Sequence, residues 1–149
     1  MADSKAPFPD RLRTVGSLLR APYRHLQDVV YAALAADGHD AVRPAHSAVF
    51  RHIRPDGSRV TELAEQAGMT KQSMAALVDH LEKHGYVRSE PDPTDGRAKR
   101  VVLTEGGEIV QREAARLSAQ VEAEWAAALG GDDMATLRRL LERLVERLG

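Results

Sequence analysis

Between Val60 and Tyr86 apolar and polar positions alternate with a helical period twice, on either side of a short break. Val60, Leu63, Ala64 and Ala67 recur at i, i+3, i+4 and i+7, which gathers them on one helix face. Gly68 suits the left-handed conformation that ends a helix, and the Thr70 hydroxyl can accept from the free N–H groups of the next. From Lys71 the apolar set is Met74, Leu77, Val78 and Leu81, and Gly85 closes the second helix. Two amphipathic helices around so short a joint predict a helix-turn-helix, the arrangement whose second helix lies in a DNA major groove. With the apolar stripe turned inward, Gln72, Ala75, Ala76, Asp79 and Lys83 face outward. A helical hairpin with one stripe per helix is also common in all-α proteins, so periodicity alone leaves a protein-binding module open.

The flanking pattern decides more. Asp10 to Ala36 carries Leu12, Val15, Leu18, Leu19, Leu26, Val29, Val30, Ala33 and Leu34 at a helical period, and Pro22 predicts a kink or break near Leu19 to Ala21. This apolar set is wide for a surface helix, so something beyond its own domain should cover it. Asp37 to Arg43 reads as a loop, Pro44 to Ile53 as a short helix, and Arg54 to Ser58 as a turn whose Ser58 could cap the next helix. After Gly85 the period changes: Tyr86 to Ser89 and Val101 to Leu103 predict two strands, with Glu90 to Arg100 as a hairpin tip too long for a two-residue turn. A hairpin attached directly to a helix-turn-helix is a wing. Thr104 caps a long helix from Glu105 to about Leu129, Gly130 and Gly131 end it, and Asp132 or Asp133 is expected to cap a last helix. There Met134, Leu137, Leu140, Leu141, Leu144, Val145 and Leu148 repeat nearly every 3.5 residues. The predicted fold is mostly α with a small β-hairpin wing, a winged helix-turn-helix with N- and C-terminal dimerisation helices. It forms a single domain over 1–149, with a lobe at about 44–104 between helices at about 10–36 and 105–148.

Composition narrows the chemistry. The chain of 149 residues has no cysteine, which excludes disulfides, thiolate zinc sites and thiol redox sensing. No apolar run is long enough to span a bilayer and Met1 to Pro9 does not read as a secretory signal, so a cytoplasmic protein is expected. The net charge of −1 lacks the basic footprint usual for a nucleic-acid binder. The acidic excess lies after residue 100, so any DNA-binding surface must be a local patch: Arg97, Lys99 and Arg100, with Lys71, Arg88 and Arg59 near it.

The segment DPTDGRAKRVVLTEGG, Asp92 to Gly107, resembles the wing signature of the MarR (multiple antibiotic resistance regulator) family of winged-helix transcription factors. In that family an Asp-x-Arg at the wing tip precedes a short strand and a Leu-Thr-x-x-Gly helix start, matched here by Asp95, Arg97, Leu103, Thr104 and Gly107. The segment ELAEQAGMTKQSMAALVDHLEKHGYV is similar to the family's reader unit, and the resemblance runs from about Val15 to Leu148. It implies a homodimer whose terminal helices interlock across a two-fold axis. It also implies binding, usually as a repressor, to a pseudo-palindromic double-stranded DNA operator. Half-sites should then lie about one helical turn, roughly 34 to 36 Å, apart.

Within that frame Thr70, Lys71, Gln72, Ser73 and Ala76 open the reader helix. Its free N–H groups attract phosphate, and Gln72 can pair bidentately with adenine. Alternatively, Thr70 and Ser73 only cap the helix and Gln72 is solvated. Arg97 is expected in the minor groove, where narrow A·T-rich segments draw in a guanidinium, and Asp95 is expected to organise the turn. Lys99, Arg100 and Arg88 are candidates for phosphate, though Arg88 could equally pair with an acidic neighbour. The resemblance further implies a small aromatic or anionic effector between the dimer helices and the DNA-binding lobe. The candidates are Tyr23, Tyr31, His46, Phe50 and His52, with His25 as an outside choice; packing alone would also account for each. Trp125 is expected in the dimer interface.

His80 and His84 lie four apart on the reader helix but have no third ligand at a metal-like spacing. They are expected to be solvated or phosphate-facing, and no metal or cofactor is predicted. The sequence has no nucleophile elbow and no Gly-rich phosphate loop, which argues against an enzyme. The wing argues against the other alternative, a helical dimerisation or protein-binding module without operator specificity.

Overall fold

The structure, a computed structural model, describes residues 13–149. Helix α1 is Val15–Ala36; the Thr14 hydroxyl caps it by accepting from the Ser17 N–H. The earlier start expected at Asp10, with Leu12, lies outside the described residues, as does the segment Met1 to Pro9. Of the kink or break expected near Leu19 to Ala21, the break does not occur: α1 continues through Pro22. The carbonyl that loses its donor belongs to Leu18, an exposed residue, so water can replace the missing bond. A loop and a short 3₁₀ turn, Pro44–His46, lead into α2, Ser47–His52, splitting the single short helix that periodicity suggests.

Helices α3, Val60–Ala67, and α4, Lys71–Lys83, form the helix-turn-helix. Gly68 sits at φ +64° between them, a left-handed conformation that a side chain would strain, and the Thr70 hydroxyl accepts from the Ser73 N–H at 3.1 Å. Ser58 does not cap α3. Its hydroxyl instead accepts from the Arg54 N–H, and its backbone exchanges two hydrogen bonds with Val101, adding one rung to the wing sheet. That pairing partner is 43 residues away, beyond the reach of a local capping rule.

The wing is an antiparallel pair, β1 Val87–Asp92 and β2 Asp95–Leu103, in register from Val87 opposite Leu103 to Pro91 opposite Lys99. Both strands run well into the segment expected to be a long tip, and only Pro93 and Thr94 lie between them. The register then jumps so that Asp92 faces Asp95, which leaves Gly96, Arg97 and Ala98 as an unpaired bulge on β2. Helix α5, Glu105–Leu129, follows directly, with the Thr104 hydroxyl accepting from the Gly107 N–H. A Cβ at Gly107 would stand 2.0 Å from the Tyr86 carbonyl oxygen, the atom that accepts from the Thr104 N–H. Only glycine lets the start of α5 lie this close to the root of β1.

Helix α6, Gly131–Leu148, begins on Gly130 at φ +94°, with no side-chain cap. Asp132 and Asp133, expected as caps, stand inside its first turn instead, where they still face the positive end of the helix dipole. The core gathers Leu63, Met74, Val78 and Leu81 of the helix-turn-helix, Val49, Phe50 and Ile53 around α2, Val87 and Val101 of the wing, and Val30, Leu34, Val110 and Leu117 of α1 and α5. Helix α6 contributes no buried residue. It forms, with the first half of α1 and the end of α5, an open apolar groove of about 1140 Å³ that Trp125 also lines. No helix of the described residues is long and apolar enough to cross a membrane.

Candidate nucleic-acid interface

The reader helix is held by its inner stripe, with Met74, Val78 and Leu81 buried and Leu77 packed against the same core. That anchoring leaves Thr70, Lys71, Gln72, Ser73 and Ala76 exposed on the opposite side of the first turns. Thr70 and Ser73 are engaged with each other, the Thr70 hydroxyl accepting from the Ser73 N–H and donating to its Oγ at 2.9 Å. Among the described residues Lys71 and Gln72 have no side-chain partner, so their polar ends and the helix's unsatisfied N–H groups are available to an anion.

In the wing, Asp95 Oδ1 accepts from the backbone N–H of Arg97 at 3.1 Å and so braces the bulge. The Arg97 guanidinium and the Lys99 ammonium group are exposed and have no acidic partner among the described residues. Other basic residues of the expected patch are already occupied. Arg100 donates through Nε and Nη2 to Glu90 Oε1 at 2.9 and 2.6 Å, and Arg88 reaches Glu90 Oε2 at 3.5 Å and the Leu103 carbonyl at 3.4 Å. The Arg100 pair holds the Glu90 carboxyl below the usual range. Arg59 Nε donates to Asp92 Oδ2 at 2.7 Å. Three of the six cations are therefore engaged with two carboxylates within the protein, whereas Lys71, Arg97 and Lys99 have no acidic partner among the described residues.

Of the two reader-helix histidines, His80 departs from the expectation of a solvated ring. His80 is half-buried, and its Nε2 must donate to the Ala41 carbonyl at 2.8 Å, since a carbonyl only accepts. Its ring stacks on that of His46 at 4.7 Å and lies 4.4 Å from that of His84, which stays exposed. His46 is buried, and its Nδ1 accepts from the Arg43 N–H at 2.9 Å. Burial, followed by the neighbouring His80, lowers its pKa to about 4. Among the described residues no cluster is placed to hold a metal ion.

A separate cleft of about 240 Å³ opens between α1, α2 and α5. It brings Tyr23, Tyr31 and Phe50 together, but neither His46 nor His52 lines it, and His25 lies beside Trp125 at 6.4 Å instead. Residues the sequence reading missed complete it. The Tyr23 hydroxyl accepts from Gln27 Nε2 and Arg51 Nη2, both at 3.0 Å, and Gln111 Nε2 donates to the Phe50 carbonyl at 2.7 Å. Arg51 is the cation of this cleft; its position beside Phe50 was the available signal. Burial raises the Tyr31 hydroxyl's pKa.

A helix-turn-helix with an exposed, anion-ready helix start and a hairpin carrying unpaired cations defines the chain as a winged-helix DNA-binding protein. The model of the MarR family matches residues 42–98. The HTH-type transcriptional regulator PetP of Rhodobacter capsulatus is 32% identical over 111 residues, 74% of this chain and 66% of that protein. Among solved structures, reduced MarR from E. coli superposes with a TM-score of 0.75 at 24% identity, over 88% of this chain and 96% of that one. CouR superposes both as the Rhodococcus jostii protein bound to p-coumaroyl-CoA, with a TM-score of 0.69 at 22% identity, and bound to a 23-mer DNA duplex, with 0.70 at 24%; each match covers 89% of this chain and 92% of that one. The chain belongs to the MarR family and is a transcriptional regulator rather than an enzyme.

Proposed function

We propose that this regulator acts as a homodimeric repressor on a pseudo-palindromic operator, with α4 in the major groove and the wing in the flanking minor groove. The observation that carries this reading is the division of cations. Arg59, Arg88 and Arg100 hold carboxylates, whereas Lys71, Arg97 and Lys99, at the reader-helix start and on the wing, have no acidic partner among the described residues. Thr70, Lys71, Gln72, Ser73 and Ala76 form the reader surface, with Gln72 placed for a base edge. Arg97 enters the minor groove from a bulge that Asp95 braces. Lys99 takes a phosphate; Arg88 and Arg100 could do so only by sharing or leaving Glu90. The dimer forms through the groove of α1, α5 and α6, and the protein works in the cytoplasm.

Titration of a labelled duplex from beside its own gene tests this. Arg97→Ala should weaken binding about tenfold and lower the salt slope by about one. Unchanged affinity and slope would remove Arg97 from the interface, and no salt-sensitive, competitor-resistant binding by the parent protein would favour the protein-binding alternative. The cleft of Tyr23, Tyr31 and Phe50, with Arg51 as its cation, fits a small aromatic anion as effector. CouR was solved with an aromatic acyl-CoA, which supports that class. Such a ligand releases DNA only if it favours one spacing of the two reader helices over another.

A further inference from the structure

We propose that Arg59 and Asp92 form a clamp that sets the angle of the wing tip against the reader helix, making both positioning residues for operator binding. The inference rests on the DNA-binding reading above. Near its root the hairpin is tied to the body at one rung. Ser89 lies opposite Val101; the Ser89 N–H donates to Glu82 Oε1 of α4 at 2.8 Å, and Val101 pairs with Ser58. Asp92 lies three residues further out, about 10 Å along an extended strand. Beyond that rung the ladder offers little stiffness, because a two-stranded ribbon is only marginally stable alone and this one loses its register after Pro91.

Asp92 meets that weakness from both sides. Its Oδ2 accepts from Arg59 Nε at 2.7 Å, and its Oδ1 accepts from the Thr94 N–H and hydroxyl at 2.9 and 2.7 Å. One carboxylate thus joins the turn at the tip to the residue that precedes α3. The Asp92 side chain is only 11% exposed, and the hydrogen bonds from Thr94 and then Arg59 keep its pKa far below the usual range. Among the described residues this is the one ion pair between the hairpin and any other element. Arg97 follows five residues later, on the unpaired bulge, so its position depends on where Asp92 is held.

Asp92→Asn separates positioning from simple electrostatics by sign. Removing a negative charge beside a polyanion should by itself tighten binding, whereas loss of the clamp should weaken it about fivefold, the size expected of a coupled contact pair. The salt slope should stay near the parent value, because no phosphate contact is deleted. The charge-swapped pair Arg59→Asp with Asp92→Arg should recover most of the loss that either single change produces. In the DNA-free protein, amide exchange across residues 91–100 should speed up about tenfold in Asp92→Asn, while residues 105–115 keep their protection. Unaltered exchange in 91–100 overturns the clamp whether or not DNA binds. With exchange altered, a parent protein that ignores DNA rejects the regulator reading alone, and tighter binding by Asp92→Asn rejects the positioning role alone.

Discussion

The two halves of this molecule solve the problem of burial differently. In the helix-turn-helix lobe the apolar stripes close on one another: Leu63, Met74 and Leu81 have no exposed surface, and the wing strands seal the remaining side through Val87 and Val101. In the helical ends the stripes have nothing to close on. Leu140 is 48% exposed, Val145 68% and Leu148 79%, on a helix with no buried residue. An apolar side chain left half in water forgoes much of the 1.5–3 kcal/mol or so that full burial brings. Those ends carry too many such residues for a face meant to meet solvent. The lobe closes on itself and on the adjoining parts of α1 and α5, whereas the open groove of α1, α5 and α6 is the face through which the proposed dimer would form.

Leu140→Glu breaks this contrast with the largest expected effect. Two-fold symmetry would place two carboxylates in the interface, each costing several kcal/mol to desolvate, so the dimer dissociation constant should rise by more than about a hundredfold. Sedimentation velocity at micromolar protein should show a monomer. Amide exchange in the same variant should keep its protection over residues 60–83 and lose it over 131–148. A Leu140→Glu protein that stays dimeric would place the interface elsewhere, and a lobe that loses protection together with the ends would abolish the distinction.

Gly107→Ala attacks the lobe instead. The added methyl meets the Tyr86 carbonyl oxygen at 2.0 Å, backbone that cannot rotate away, so stability should fall by about 2–3 kcal/mol. Urea denaturation reads this loss, while sedimentation should still report the parent's oligomeric state. A variant as stable as the parent would mean that α5 shifts freely against the root of the wing.

The contrast also explains what could be read from the sequence. The end of α3 and the starts of α4 and α5 were legible because they are decided locally: Gly68 at a left-handed turn, and Thr70 and Thr104 each capping the N–H three residues on. Misreadings occurred where a distant partner decides. Ser58 looked like a cap until Val101 claimed its backbone. Arg59 and Arg100 looked like part of a cationic patch until Asp92 and Glu90 paired with them, whereas the pairing of Arg88 with an acidic neighbour was one of the two readings open to it. His80 stands at the border of the α4 stripe, and the Ala41 carbonyl that turns it inward is 39 residues away. The effector candidates divided in the same way: Tyr23, Tyr31 and Phe50 converge on one cleft, while His46 belongs to the imidazole stack. In α6 the local signal itself misled, since Gly130 starts the helix without the help of Asp132 or Asp133.

That stack gives the smallest effect and the finest test of the lobe's independence. The His46 pKa falls from 6.5 to about 4 in the folded chain, because burial and then the adjacent His80 disfavour the imidazolium; His84 and Arg43 add positive charge or its prospect nearby. Protonation would also place a second donor at Nδ1, where the Arg43 N–H already points. Above pH 6.5 neither state holds the proton and His46 contributes no pH dependence. Below it the unfolded chain takes up a proton that the folded chain refuses, so stability is lost as the pH falls from 6.5 towards 4. The loss attributable to His46 should be about 1 kcal/mol at pH 5.5. Urea denaturation at pH 7.5 and 5.5, for the parent and for His46→Gln, reads the contribution of His46 together with its coupling to His80 and His84, since titrations remote from the stack are common to both proteins and cancel in the difference. The same difference should reappear in the Leu140→Glu background, because the stack joins α4 to the turn before α2 and does not involve α6. Equal acid slopes in parent and His46→Gln would clear this imidazole, and a difference that vanishes in the monomer would tie the stack to the ends after all.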